Sequence, residues 1–200
     1  MPTLSTTVGA HPKAIQAIVI TGFFSVLCGI LAYLYTGSIP SGDGVVYLDQ
    51  VLAGNLRERT LHLGYLFQLL LLAPFLGDHA APLLAAAWTV LAWVAAWWGA
   101  LALLGGARDT RTRLLALVAP AFLAAVLPLW EHALFPEVYG PAAAALLCAA
   151  ALRLHGLTVP SILAAGLATA IHPGSLAWLP TLALMGPRGL RYCGGVLLVP

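Results

Sequence analysis

Apolar runs separated by short polar intervals set the pattern of this 200-residue chain. Residues 13–36 and 80–104 form the two longest runs, and each exceeds the roughly 20 residues that a helix needs to cross a bilayer. Shorter apolar runs cover residues 62–76, 114–129, 141–154, 161–171 and 176–185. The pattern predicts an all-α fold, a polytopic bundle of membrane helices.

The longest polar interval contains a segment with helical spacing, residues 43–53. Val45, Leu48 and Leu52 fall on one face of that helix. This spacing predicts a short amphipathic helix lying at the membrane interface, and Gly54 follows as a helix-ending residue.

Charge decides whether the run 62–76 crosses the membrane, because a helix of that length spans about 22 Å and the hydrocarbon core about 30 Å. If the run stays at one face, that outer side holds two basic and six acidic residues, and the opposite side holds one acid and seven bases. These bases are Lys13, Arg108, Arg111, Arg113, Arg153, Arg188 and Arg191. If the run crosses, this segregation is lost. The positive-inside rule therefore predicts a cytoplasmic N-terminus and an outer loop over residues 38–79.

Composition supports a membrane as the solvent. The chain is 61% hydrophobic and 8% charged, whereas soluble domains carry about 45–50% apolar and about 25% charged residues. We interpret residues 1–200 as a single transmembrane domain in the plasma (inner) membrane. The few basic residues form no run that would bind nucleic acid.

Ionisable residues of the predicted outer face are the candidates for chemistry. Asp43 and His62 belong to the first loop, Glu137 and Tyr139 to a second polar segment, and His172 to a third. A carboxylate there can act as general base, and further carboxylates or imidazoles can orient a substrate or hold a divalent cation. Each residue also has a structural explanation, since Asp and Glu commonly cap or begin helices and His172 precedes a Pro-Gly helix stop. The residues alone leave metal binding open.

Residues 130–139, Trp-Glu-His-Ala-Leu-Phe-Pro-Glu-Val-Tyr, resemble the "W…AEVY" signature of the DUF2723 membrane family, which is related to a protein O-mannosyltransferase within the GT-C superfamily of glycosyltransferases. Asp43 stands where that family has an Asp after its first helix. Residues 62–65, His-Leu-Gly-Tyr, resemble its His-Pro-Pro-Gly-Tyr turn, and His172 resembles its Asn-His before a later helix. The order of these landmarks holds over residues 15–185.

The resemblance implies an inverting transferase that moves a sugar from a polyprenyl-phosphate donor to a hydroxyl of a protein or glycan acceptor. It implies Asp43 as general base and Glu137, Tyr139, His172 and His62 as substrate-binding residues. Such enzymes usually carry more helices, so we expect the 200 residues to be the N-terminal part of a larger module or a short relative that needs a partner.

Two other functions fit a membrane protein of this kind, a transporter subunit and a non-catalytic scaffold. Transporters place polar groups near the bilayer midplane, whereas the ionisable residues here lie at the ends of apolar runs. A scaffold is favoured if Asp43 and Glu137 lie far apart. An enzyme is the interpretation that the sequence favours.

Overall fold

The computed structural model describes residues 10–36, 43–56, 62–106, 109–125, 137–186 and 189–198. Over these ranges the chain forms helices and no strands, which confirms the all-α prediction. The α-helices are α1 (Ala10–Thr36), α2 (Asp43–Leu52), α3 (Leu63–Leu76), α4 (Ala80–Leu103), α5 (Thr110–Leu115), α6 (Val118–Ala125), α7 (Tyr139–Leu154), α8 (Thr158–Ile171), α9 (Leu179–Leu184) and α10 (Gly189–Leu197). Two 3₁₀ helices cover Gly77–His79 and Pro173–Trp178.

Two helical stretches of the described chain are long and apolar enough to cross a bilayer, Ile15–Tyr33 and Leu63–Leu103. The second changes direction at Gly77, which has a backbone φ of 53°. Its spanning part is therefore α4, whose 24 residues measure about 36 Å. Because α7 and α8 have only 16 and 14 residues, length and composition support two spans, fewer than the predicted polytopic bundle.

Large apolar side chains cover the outer surface of the helices. Tyr33 is 78% exposed, Phe75 86%, Phe122 69% and Leu184 87%. Soluble monomers rarely expose contiguous apolar patches larger than a few hundred Å². The surface therefore supports association with a membrane.

Helices α4 and α7 run parallel and pack along most of their length. Near their first turns, Leu84 and Val138 share one buried cluster. Near their last turns, the His155 ring stacks on Trp98 with centroids 4.2 Å apart. The N-termini of both helices thus lie at one end of the bundle and their C-termini at the other.

Helix α8 returns antiparallel to α7. The Ser161 hydroxyl donates to the Ala149 carbonyl at 2.7 Å near one end of the pair, and the Tyr139 and His172 rings meet at the other. We call the end where α7 begins and α8 stops the histidine end. The opposite end, where Arg153 lies, is called the arginine end.

Helix α3 packs against α8 and α4. At its start, His62 Nδ1 is 2.8 Å from the Ile171 carbonyl oxygen. Its last residue is joined through Gly77–His79 to Ala80, which shares a buried cluster with Val138. Both ends of α3 therefore lie at the histidine end.

Helix α2 packs beside α3. Gly44 and Leu48 are buried, and Tyr47 and Val51 pack on the same cluster. Leu52, which the spacing places on the same apolar face as Leu48, is 47% exposed.

Two predicted helices are interrupted near prolines. The helix predicted over 114–129 is divided between α5 and α6, and Pro120 lies in the first turn of α6. The helix predicted over 176–185 is divided between a 3₁₀ helix and α9, with Pro180 in the first turn of α9. Proline is tolerated there because the first amides of a helix have no carbonyl partner to lose.

Candidate functional site

Four rings from separate elements come together at the histidine end. His62 precedes α3 and His172 follows α8, and their imidazoles stack with centroids 5.1 Å apart and planes 21° apart. Tyr139, the first residue of α7, lies 4.8 Å from the His172 ring. Tyr47 of α2 lies 5.8 Å from the His62 ring. We call these four side chains the ring cluster.

The position of His62 depends on a close approach between α3 and α8. His62 Nδ1 is within hydrogen-bond distance of the Ile171 carbonyl. A methyl group on Gly64 would lie 2.9 Å from the backbone carbon of Ala170 and the backbone nitrogen of Ile171. Carbon atoms ordinarily approach to about 3.5–4.0 Å, so only glycine permits this packing.

His172 is held by the 3₁₀ helix that follows it. Its backbone is extended, and its Nδ1 accepts the Gly174 N–H at 3.1 Å, which caps the first turn of that helix. A methyl group on Gly174 would lie 2.8 Å from the imidazole. The ring is therefore fixed by its own backbone.

Asp43 adds a carboxylate beside the ring cluster. It is exposed at the first position of α2, one turn before Tyr47. Partial burial raises the pKa of the Tyr47 phenol, and the charge of Asp43 and then that of Tyr139 raise it further. Tyr47 is therefore a neutral hydroxyl at physiological pH. An acid at this position also suits the helix dipole, so the structural explanation of Asp43 is compatible with a chemical role.

The described residues include all five residues that the sequence singled out, and several of them lie close together. The His172 ring contacts both His62 and Tyr139. Asp43 lies one helical turn before Tyr47, whose ring is 5.8 Å from that of His62. Glu137, half-buried, lies two residues before Tyr139 and thus at the same end of the bundle.

Tyr47, Gly64 and Tyr65 were not singled out as functional residues from the sequence. Helical spacing offers a signal for Tyr47, which is one turn from Asp43. The fully buried Tyr65 ring lies 6.2 Å from that of Tyr47, and its hydroxyl has no hydrogen-bond partner among the described residues. Gly64 offers only the weak signal of glycine inside an apolar helix.

Part of the predicted site lies outside the described residues. This applies to residues 130–136 of the segment that carries the family resemblance. Within the described ranges, no three His, Cys, Asp or Glu side chains are grouped as metal ligands.

Two grooves open beside the ring cluster. The first, the α7 groove, has a mouth of about 290 Å³ that includes Tyr139 and His172. It continues into a cavity of about 300 Å³ that is almost wholly apolar and reaches Met185. Residues shared by both parts are Ala143, Leu146 and Trp178. The second, the α3 groove, measures about 700 Å³ and lies between α3 and α8, where Gln68 and Thr169 are its polar side chains.

The arginine end carries the positively charged side chains that the structure describes as arginines. The Arg113 carbonyl accepts the Trp97 indole N–H at 3.2 Å, and the buried Arg153 guanidinium donates to Thr158 at 2.9 Å. Arg191 belongs to α10, beside Tyr192, whose ring lies 4.7 Å from the Arg153 guanidinium. Every arginine that the structure describes thus belongs to this end.

Comparison of the chain with protein-family models, with curated proteins and with solved structures gives no significant match.

Proposed function

We propose that the protein is an integral membrane glycosyltransferase of the GT-C type. It would move a sugar from a polyprenyl-phosphate donor to a hydroxyl group of a protein or glycan acceptor. The observation that supports this best is the convergence of Asp43 with two tyrosines and two histidines at one end of an apolar helical bundle. Such a set can bind, polarise and deprotonate a hydroxyl.

In the proposed reaction, the acceptor hydroxyl gives its proton to the Asp43 carboxylate. The acceptor oxygen forms a bond to the sugar C1, and the bond between C1 and the phosphate oxygen breaks with its electron pair remaining on the phosphate. The products are the inverted glycoside and the polyprenyl phosphate. Tyr47, kept neutral by its raised pKa, donates a hydrogen bond beside Asp43, while Tyr139, Glu137 and the two histidines line the substrate.

The α7 groove has the polarity that an isoprenoid donor requires. Its mouth presents the Tyr139 hydroxyl and the His172 imidazole, and its inner part is lined by leucine, alanine and methionine side chains. From Tyr139 to Ala150 the groove follows α7 for about 16 Å, at 1.5 Å per residue. An amphiphile would place its phosphate at the mouth and several isoprene units along the helix.

The proposed orientation places the histidine end outside the cell and the N-terminus in the cytoplasm of a plasma (inner) membrane. The described arginines lie at the opposite end of the bundle, as the positive-inside rule requires of a cytoplasmic face. Ionisable groups at the end of the bundle, rather than at its middle, favour this function over a transporter subunit.

The test is sugar transfer by the protein reconstituted in nanodiscs, with polyprenyl-phosphate mannose and polyprenyl-phosphate glucose as donors. Asp43→Asn keeps the size of the side chain and removes its basicity, so transfer should fall by about 10²-fold or more. Asp49→Asn, an exposed acid on the same helix, is the matched control and should retain activity. Equal activity of both variants would exclude Asp43 as the base, and hydroxyl acceptors left unmodified by every donor would argue for a scaffold instead.

A further inference from the structure

The α3 groove, about 700 Å³ between α3 and α8, is a second cavity that the proposed reaction does not use. Among the described residues it shares no lining residue with either part of the α7 groove. Its volume lies within the range of about 300–1,000 Å³ that is usual for ligand sites. Four of its lining side chains, Leu63, Phe67, Leu71 and Leu163, are more than half exposed. The groove therefore opens onto the apolar surface of the bundle, where its ligand would come from lipid.

The Gln68 carboxamide of this groove is held in one orientation by two hydrogen bonds. The Trp88 indole N–H can only donate, so the atom that it contacts at 2.8 Å is the oxygen Oε1 of Gln68. The Gly64 carbonyl can only accept, so Gln68 Nε2 donates to it at 2.9 Å. Nε2 carries a second hydrogen, which no bond within the described residues uses. Gln68 therefore offers one N–H donor to a ligand.

The Thr169 hydroxyl offers the groove an acceptor. Its only hydrogen is donated to the Ala165 carbonyl, 3.0 Å away and one turn earlier in α8. The hydroxyl oxygen keeps a lone pair, so toward a ligand it can only accept. Gln68 reaches back to Gly64, and Gly64 approaches Ala170, the neighbour of Thr169. The donor and the acceptor therefore belong to the same part of the groove.

The rest of the groove is apolar. Within the described residues no charged side chain lines it. Thr169 lies near the end of α8 that forms part of the histidine end, and Leu163 lies about 9 Å farther along the helix, at 1.5 Å per residue. A carboxylate or phosphate would be buried here without a cation, which is unfavourable. An ether or ester oxygen would accept from Gln68 but leave Thr169 without a donor. A hydroxyl group, which both accepts and donates, matches the pair.

We propose that the α3 groove binds a neutral lipid alcohol. The alcohol oxygen accepts from Gln68 Nε2, the alcohol hydrogen is donated to Thr169 Oγ1, and the hydrocarbon chain lies between α3 and α8 toward Leu163. This lipid differs from the phosphate-bearing donor assigned to the α7 groove, and its binding does not require that the protein transfers sugar.

The experiment labels the protein in nanodiscs with a diazirine-bearing palmityl alcohol and maps the modified residues by mass spectrometry. Unlabelled palmityl alcohol, its methyl ether and palmitate then compete with the label. We expect labelling of α3 and α8, with the alcohol competing about two- to tenfold better than the ether, which cannot donate to Thr169. Palmitate should compete less well than the alcohol, because no cation balances its charge. Labelling confined to α7, or equal competition by alcohol and palmitate, would overturn the proposal.

Two variants of Thr169 test the hydroxyl contact. Thr169→Val keeps the shape of the side chain and removes the accepting oxygen, so the alcohol and the ether should compete equally. Thr169→Ser is the matched control, which keeps a hydroxyl and should keep the preference for the alcohol. A preference that persists in Thr169→Val would overturn the proposal, whether or not the protein transfers sugar.

Gln68→Leu tests the donor. Both probes have an oxygen that accepts from Gln68, so both should compete about two- to tenfold less well, and the preference for the alcohol should remain. Unchanged competition in this variant would contradict the contact with Gln68. Because Gln68 also holds Trp88, the Thr169 variants provide the test that is independent of this link between α3 and α4.

Discussion

Gly64 is the residue on which the assembly of the site depends most directly. A methyl group there would lie 2.9 Å from the backbone of Ala170 and Ile171 and 3.0 Å from the Ala170 side chain. Backbone atoms within a helix cannot relieve a clash by changing rotamer, as a flexible side chain can. In Gly64→Ala, α3 must therefore move away from α8 by about 0.5–1 Å to reach ordinary contact distances.

Stability alone is a poor measure of this change. Overpacking of a buried contact costs about 1–3 kcal/mol, but alanine is favoured over glycine inside a helix by about 1 kcal/mol. The two effects partly cancel, so the melting temperature should change little. Geometry is more sensitive, because the 2.8 Å contact between His62 and Ile171 would exceed the hydrogen-bond limit of about 3.2 Å after such a displacement.

The assay is ¹⁵N NMR of the His62 imidazole together with palmityl alcohol binding. In Gly64→Ala we expect the His62 Nδ1 hydrogen to exchange faster with solvent and alcohol binding to weaken by about two- to tenfold, because α3 carries Gln68 away from Thr169. Gly29→Ala is the matched control, because a methyl group added to this glycine of α1 would have no neighbouring atom within 4 Å. A Gly64→Ala protein with an unchanged His62 signal and unchanged binding would refute the argument that this close approach positions the imidazole.

Two further predictions concern the arginine end. Asp109 caps α5 by accepting the Thr112 N–H at 2.6 Å, a bond that lowers the pKa of the carboxyl; the cap therefore stabilises α5 at neutral pH and is lost as the pH falls below about 3.9. Hydrogen exchange across α5 should quicken in Asp109→Ala but not in Asp109→Asn, and an acid-insensitive wild-type α5 would contradict this. The buried Ser161 hydroxyl joins α8 to α7 at the Ala149 carbonyl, so Ser161→Ala should reduce the free energy of unfolding in detergent by about 0.5–1.5 kcal/mol. Thr169→Ala, which removes a bond within one helix, should have a smaller effect, and the reverse order would contradict the role of Ser161.

Helical spacing and the positions of glycine residues predict much of the local structure. The helical spacing of residues 43–53 predicts α2, and Gly54, with a φ of 62°, ends it as expected. The short run before Gly77 predicts α3 to within one residue. The interruption near Pro120 was not predicted, because apolar periodicity continues through a helix start that only the proline marks.

The site could be predicted only in part, because its residues and its packing carry different signals. Charge segregation along the chain placed His62, Glu137, Tyr139 and His172 at one face, and the structure brings three of these rings into contact. The stacking of His62 on His172 and the hydrogen bond of His62 depend on Ile171 and other groups that become neighbours only after folding. No spacing rule in the sequence encodes such neighbours.

The site is divided between two structural units, and this division explains why its geometry depends on so few contacts. Tyr139 begins α7 and His172 follows α8, whereas Asp43 and Tyr47 belong to α2, which packs on α3. Asp43 therefore reaches the Tyr139 and His172 rings only if α3 docks on the end of α8. Loss of that docking should separate Asp43 from these rings without unfolding the bundle.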